Sequence, residues 1–322
     1  MLFEKQIKAA FRAKVHTRAD DRGIVRYFSP EDFDGLSVTP YSFSAHEGHT
    51  LQGYFYSCGE PRIQNRIVIF EHGMGGGHRS YLREIEMLAR HGFLVFAYDH
   101  TGCMTSEGEE TGGFLQSLSD LDAALNVLKK EYGSDGMRFS VVGHSWGGFA
   151  ALNIPALHRD ISHVVAMAGF RSLEAIVKSS LKGPLALYRR AIIEMEKEKH
   201  PELSEYDAVS SLCDTEAKVL IIHSEDDKTV PARDHFDVME RALSHRESIR
   251  FLRVTGRGHN PCYTEDAAAY LAAFFEKLKA RIKAGGLNNR EEHNAFLDGF
   301  DWHRMTAQDE AVWHEIFRHL EA

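Results

Sequence analysis

The sequence predicts an α/β protein with a mostly parallel central sheet flanked by helices on both faces. Two observations carry that expectation. Short, nearly continuous apolar runs recur along the chain, as strands buried on both faces require. Stretches of helical periodicity separate them. Strands alternating with helices build parallel sheets, because a parallel connection needs a crossover long enough to hold a helix.

The runs are RIVIFE (66–71), FLVFAYD (93–99), MRFSVVG (137–143), SHVVAMAG (162–169), AKVLIIHS (217–224) and SIRFLRVT (248–255). The helical stretches are 79–91, 114–131, 145–157, 231–244 and 263–284. Ahead of them, SVTPYSFSA and TLQGYFYS flank HEGH and predict a hairpin. At the start, Phe3, Ile7, Phe11 and Val15 recur every four residues among Lys5, Lys8, Arg12, Lys14 and Arg18. That spacing predicts an amphipathic helix with a basic face, expected to dock on the core, with a membrane surface as the other setting.

One interval breaks the rhythm. Residues 171–212 hold no strand pattern. Ile176, Val177, Ser180 and Leu181, then Leu185, Tyr188, Ile192 and Met195, follow helical spacing. Two helices inserted between sheet strands predict a small helical cap. After Gly285-Gly286 a polar stretch is expected, then a last helix near 307–321 carrying Val312, Trp313, Ile316, Phe317 and Leu320. The expected division is therefore a lead-in (1–36), a core (37–170 and 213–284), a cap (171–212) and a tail (285–322).

Composition bounds the function. The chain has 322 residues, of which 43% are hydrophobic and 26% charged, enough for one large globular unit. A net charge of −9 argues against general nucleic-acid binding. No apolar run approaches the length of a membrane span, and charge interrupts the first fifteen residues, so no secretory leader is expected. Cys58, Cys103, Cys213 and Cys262 are widely spaced with no CxxC pair, which suits free thiols and a cytoplasmic location. None of the nineteen histidines falls in a metal-binding spacing, so no metal or other cofactor is expected. Most of these histidines are expected at the surface or just behind a site.

The chemistry concentrates in three loops. The run MRFSVVG ends in Gly143-His144-Ser145-Trp146-Gly147-Gly148, and a helical pattern follows. G-x-S-x-G between strand and helix puts a serine hydroxyl on a sharp turn above the sheet, where side chains at the glycine positions would collide with the neighbouring strand and helix. A nucleophilic serine needs a base and an acid that orients it. Glu225-Asp226-Asp227-Lys228-Thr229-Val230-Pro231 follows one later run, and Gly256-Arg257-Gly258-His259-Asn260 follows the next. Both loops lie where the carboxyl ends of strands bind ligands in open α/β sheets. His72-Gly73-Met74-Gly75-Gly76-Gly77-His78 follows the first run. Its glycines let a backbone N–H meet a developing oxyanion. It lacks the GK[ST] ending of a phosphate loop, and His78 breaks G-x-G-x-x-G, so nucleotide binding is discarded.

With these motifs, and with YDHTGCMTSEG at 98–108, residues 37–284 resemble the α/β-hydrolase superfamily. Within it the chain is similar to the monoacylglycerol lipase and serine-aminopeptidase group that also holds bacterial esterases. The resemblance implies Ser145 as nucleophile and His259 as general base. It implies Asp227 as the acid, because the family acid lies four residues before the proline of D-x-x-V-P, with Asp226 as the fallback. It implies the backbone N–H groups of Met74 and Trp146 as the oxyanion hole, and a mainly structural role for Asp99. Two positions depart from the family's D-x-R-G-x-G-x-S: Thr101 replaces the arginine and Met104 the second glycine.

The expected activity is hydrolysis of a small-molecule carboxylic ester through an acyl-enzyme. An aminopeptidase or thioesterase using the same residues is the alternative, and a non-catalytic binding protein a remote one. An aminopeptidase needs acidic groups near the serine for the substrate ammonium, and Glu174, Glu194, Glu196 and Glu198 are the candidates. A cap over Ser145 is expected to wall an acyl pocket with Ile176, Leu181, Leu185, Tyr188 and Ile192. The alternative is that these side chains pack on one another and on the core.

Overall fold

The structure, a computed structural model, describes residues 3–133 and 136–322. Helix α1 (Glu4–Val15) leads into the hairpin β1 (Leu36–Ser44) and β2 (Thr50–Cys58). The alternating part follows as β3 (Arg66–Glu71), α2 (Leu82–His91), β4 (Leu94–Tyr98), α3 (Gln116–Tyr132), β5 (Arg138–His144), α4 (Trp146–Asn153) and β6 (His163–Met167). Helices α5 (Leu173–Ser180), α6 (Arg189–Lys197) and α7 (Ala208–Cys213) interrupt it. It resumes with β7 (Lys218–Ser224), α8 (Phe236–Leu243), β8 (Ile249–Val254) and α9 (Glu265–Lys283). The chain ends in α10 (Arg290–Leu297), α11 (Trp302–Met305) and α12 (Glu310–Glu321).

The eight strands form one sheet in the order β1-β2-β4-β3-β5-β6-β7-β8. β1 pairs antiparallel with β2 and β2 with β4, and the other strand pairs are parallel. The apolar runs are continuous because both faces are covered. Ile67 and Ile69 of β3, Val141 of β5 and Val219 and Ile221 of β7 point into one core, against Leu121 and Leu125 of α3, Phe149 of α4 and Met239 of α8. Val68, Phe70, Val142, Leu220 and Ile222 alternate with them and point into the other, against Ile85 and Leu88 of α2, Phe274 of α9 and Trp313 and Ile316 of α12. Strand side chains alternate by face, so a run apolar at every position feeds two cores at once.

The tail is richer than its sequence suggested. The stretch read as polar holds α10 and α11, and Leu297, Trp302 and Met305 join α12 in the second core. The sparse apolar residues there are separated by charge, and their burial depends on docking against α9. The cap also has three α-helices where two were expected. Its ends meet: Ser172 and Asp207 form an isolated β-bridge, the Ala208 N–H donates to the Arg171 carbonyl (2.8 Å), and Arg171 pairs with Asp207. All four cysteines are free thiols, and among the described residues no helix is long and apolar enough to cross a membrane. Eleven of the nineteen histidines are buried, more than expected.

Candidate active site

β5 delivers the chain to Ser145, and α4 carries it away. Ser145 sits at φ 55° and ψ −108°, a strained conformation for an L-residue, and its N–H donates to the Met167 carbonyl at 2.9 Å. The flanking glycines make the turn possible. A Cβ on Gly143 would lie 2.3 Å from the Gly147 carbonyl oxygen, and one on Gly147 would lie 2.2 Å from that of Glu71 in the neighbouring strand.

The loops after β7 and β8 bring two predicted residues to this serine. His259 Nε2 lies 2.8 Å from Ser145 Oγ, and His259 Nδ1 lies 2.7 Å from Asp227 Oδ2. A carboxylate only accepts, so Nδ1 carries the proton and Nε2 is left to accept from the hydroxyl. The other oxygen of Asp227 accepts the N–H groups of Thr229 (2.8 Å) and Val230 (3.0 Å). Burial raises the pKa of Asp227, but contacts with His223 and His259 and the Val230 N–H outweigh it and hold the carboxyl well below its ordinary range. Asp226, the fallback, turns away. It accepts from Ser224 Oγ (2.5 Å) and from the Gly258 N–H (3.2 Å), so it braces the histidine loop instead of the imidazole.

Met74 and Trp146 both border the space beside Ser145. Trp146 opens α4, where the first N–H groups have no partner inside the helix. The Met74 loop is clamped from behind. His72 Nδ1 donates to the Gly73 carbonyl (2.8 Å), and its Nε2 accepts the His100 N–H (3.0 Å). Asp99 accepts from the N–H (2.9 Å) and ring (2.7 Å) of His78 and from the Thr105 hydroxyl (3.0 Å). Met104 holds a positive φ of 45° at the position where a glycine was expected. Thr101 in place of arginine donates through N–H (2.8 Å) and hydroxyl (2.9 Å) to buried Asp120. The positive partner at Asp120 is His100, 3.3 Å away and also 3.3 Å from Glu71.

Comparison with known proteins bears on the fold and the family. The family described as "Serine aminopeptidase, S33" matches residues 63–211. A monoglyceride lipase of Rattus norvegicus is 30% identical over 130 residues, 40% of this chain and 41% of the relative. A proline iminopeptidase of Saccharolobus solfataricus is 24% identical over 147 residues, 44% of this chain and 47% of the relative. The chain thus spans less than half the length of these curated relatives. An esterase of Pyrococcus furiosus shares the fold with a TM-score of 0.58 at 20% identity, over 80% of this chain and 94% of that one.

The chain has the α/β-hydrolase fold and is similar to this group over residues 63–211.

Within this fold a cavity of about 850 Å³ opens beside Ser145 and His259. Ile176, Leu181 and Leu185 of the 171–212 segment line it. Tyr188 and Ile192 do not, and Ile192 is fully buried in the main core. Helical spacing identifies an apolar stripe but not which neighbour covers it. The missing wall comes from α1, whose Ile7, Ala10, Phe11 and Val15 face the cavity together with Phe114 and Phe170. The helix is pinned there by Arg12 on Glu110 (2.9 Å) and by buried His16 against Glu196 (2.5 Å). Ile7, Phe11 and Val15 of its apolar stripe are turned inward, while Phe3 is left exposed.

Of the four glutamates considered for an ammonium site, none lines the cavity. Glu174, Glu194 and Glu198 are exposed, and buried Glu196 is engaged by His16 and by the Phe114 N–H (2.8 Å). Among the described residues no group of three or more His, Cys, Asp or Glu side chains is placed to hold a metal ion. The residue most clearly missed is His144, although it sits inside the quoted G-x-S-x-G. Its ring bridges Tyr81 Oη (2.8 Å) and the main-chain carbonyl of His259 (2.7 Å). Burial first, and then the charge on His259, push its pKa down to about 3, so it stays neutral.

Proposed function

We propose that this chain hydrolyses carboxylic esters with Ser145 as nucleophile, His259 as general base and Asp227 as the orienting acid. The observation that carries this reading is the continuous hydrogen-bonded line from Asp227 Oδ2 to His259 Nδ1 (2.7 Å) and from His259 Nε2 to Ser145 Oγ (2.8 Å). Ser145 Oγ attacks the ester carbonyl as its proton passes to His259 Nε2. Asp227 stabilises the imidazolium without taking the proton. The N–H groups of Met74 and Trp146 receive the oxyanion. Collapse of the tetrahedral species expels the alcohol, which takes the proton from His259. Water, deprotonated by the same histidine, then attacks the acyl-serine and releases the acid.

An ester is favoured over an aminoacyl substrate because, among the described residues, no carboxylate lines the cavity to receive a substrate ammonium. The wall is instead mostly aliphatic and aromatic, which suits an acyl chain. The test is a panel of p-nitrophenyl esters of graded length, an aminoacyl-p-nitroanilide and an acyl-thioester, run with wild type and Ser145→Ala. Ester turnover that Ser145→Ala abolishes supports the reading. Faster cleavage of the anilide than of every ester refutes it.

A further inference from the structure

We infer that the ester accepted by this site carries a negative charge, on its acyl or its alcohol part. The inference rests on the ester-hydrolase reading above and adds a substrate class to it. The chain is acidic overall, with 47 Asp and Glu against 38 Lys and Arg. Around the cavity beside Ser145 the balance reverses. Among the described residues, its formally charged lining residues are Lys14 and Lys228, and no Asp or Glu lines it. Lys14 comes from α1 and Lys228 from the loop that also carries Asp227, so the two cations reach the cavity from different elements.

Both lysines are exposed. A lysine that lines an apolar cavity while exposed packs its methylene stem on the wall and leaves its ammonium at the mouth. Among the described residues neither ammonium has an ion-pair or hydrogen-bond partner, unlike Arg12 on Glu110 and Arg257 on Asp309. Lys228 also lines an adjoining groove with Lys182 and Arg233. Two acidic residues face that groove as well. Asp227 is committed to His259, and Glu225 lies 3.9 Å from Arg253. A cleft whose mobile charges share one sign concentrates ligands of the opposite sign, more so between low-dielectric walls. Apolar wall plus cationic mouth fits an ester with a hydrocarbon segment and a terminal carboxylate or phosphate.

Two matched pairs test this. On the acyl side, mono-p-nitrophenyl adipate is compared with p-nitrophenyl hexanoate. On the alcohol side, 4-(hexanoyloxy)benzoate is compared with its methyl ester. Each pair differs by one negative charge, and the readout is the ratio of kcat/KM, anionic over neutral. Two exposed cations predict a ratio of about fivefold in at least one pair. The pair that shows it tells which half of the substrate bears the charge. The ratio should fall as NaCl rises from about 0.05 M to about 0.5 M. Repulsion by the whole acidic chain would give the opposite trend. In Lys14→Glu/Lys228→Glu the ratio should drop below one.

Neutral esters turned over with ratios at or below one in both pairs would overturn the inference and leave the ester-hydrolase reading intact. A preference that survives the double charge reversal would overturn it too, by locating the selectivity elsewhere. Cleavage of none of the four compounds would overturn both readings.

Discussion

His144 holds the main-chain carbonyl of His259 at 2.7 Å. Because Nε2 must donate to that carbonyl, Nδ1 is the acceptor for the Tyr81 hydroxyl at 2.8 Å. A residue one position before the serine thus braces the loop that presents the imidazole 115 residues later. His144→Ala should lower kcat about tenfold or more, since a small misplacement of the base is costly, while KM changes little. Tyr81→Phe, which leaves the carbonyl contact in place, should cost less. Steady-state kinetics of the two variants check this, and equal losses would contradict the ordering.

Asp227 and Asp226 are adjacent but face different partners. Asp227→Asn should lower kcat by about 10⁴-fold, by analogy with the orienting aspartate of serine proteases. Asp226→Asn weakens contacts with the Gly258 N–H (3.2 Å) and the Ser224 hydroxyl (2.5 Å) but none with the imidazole, and should stay within about tenfold. The reverse ranking would reassign the acid.

Much of this was legible in the sequence. Five apolar runs match β3 to β7 because strands covered on both faces are apolar almost throughout, while β8, at the sheet edge, carries Arg250 and Arg253 between its apolar positions. Ser145 could be picked out because its turn demands glycines at fixed spacing, whereas Asp227 and His259 were expected from two loops in the required order and from the family resemblance. What periodicity does not encode is the neighbour. Ile192 and Leu185 lie on the same helical stripe, yet one is fully buried and the other 41% exposed beside the cavity. Phe11 was seen as apolar, but its partner Phe114, in edge contact at 6.1 Å, is a hundred residues away. His144 was inside the motif, but its acceptor is a backbone atom that no residue pattern marks.

The α1 wall sets an expectation about substrate length. Phe11→Ala removes a half-buried ring from the cavity and should shift preference toward longer acyl chains, by about tenfold in kcat/KM relative to acetate. A chain-length profile with p-nitrophenyl esters measures it. Excising 171–212 is a poor alternative, because Val177, Ile192, Ala208 and Leu212 belong to the main core.

Stability should peak near neutral pH. Burial, foremost, holds His72, His144, His163 and His235 down to about 3 and His319 down to about 4. The folded state therefore keeps these rings neutral, while the unfolded chain takes up protons below about 6.5. Their contribution is present above that value and is lost as the pH falls toward 3 to 4. His100 works the other way. Burial lowers its pKa, but Glu71 and Asp120 raise it further, to about 9. Its contribution is complete below about 6.5 and is lost as the pH rises through about 9. The urea midpoint should drop from pH about 7 to pH about 5, and again toward pH about 10. An unchanged midpoint between about 7 and about 5 would contradict the assignment of buried neutral histidines.

The central claim is that Ser145 is the nucleophile, and covalent capture tests it most directly. A fluorophosphonate reacts with a serine only when a base and an oxyanion site activate it. Intact mass should show one adduct per chain, and peptide mapping should locate it on Ser145, between β5 and α4. Ser145→Ala should take up none, and His259→Ala should react slower by orders of magnitude. An adduct on any other residue, or labelling that persists in Ser145→Ala, would contradict the account.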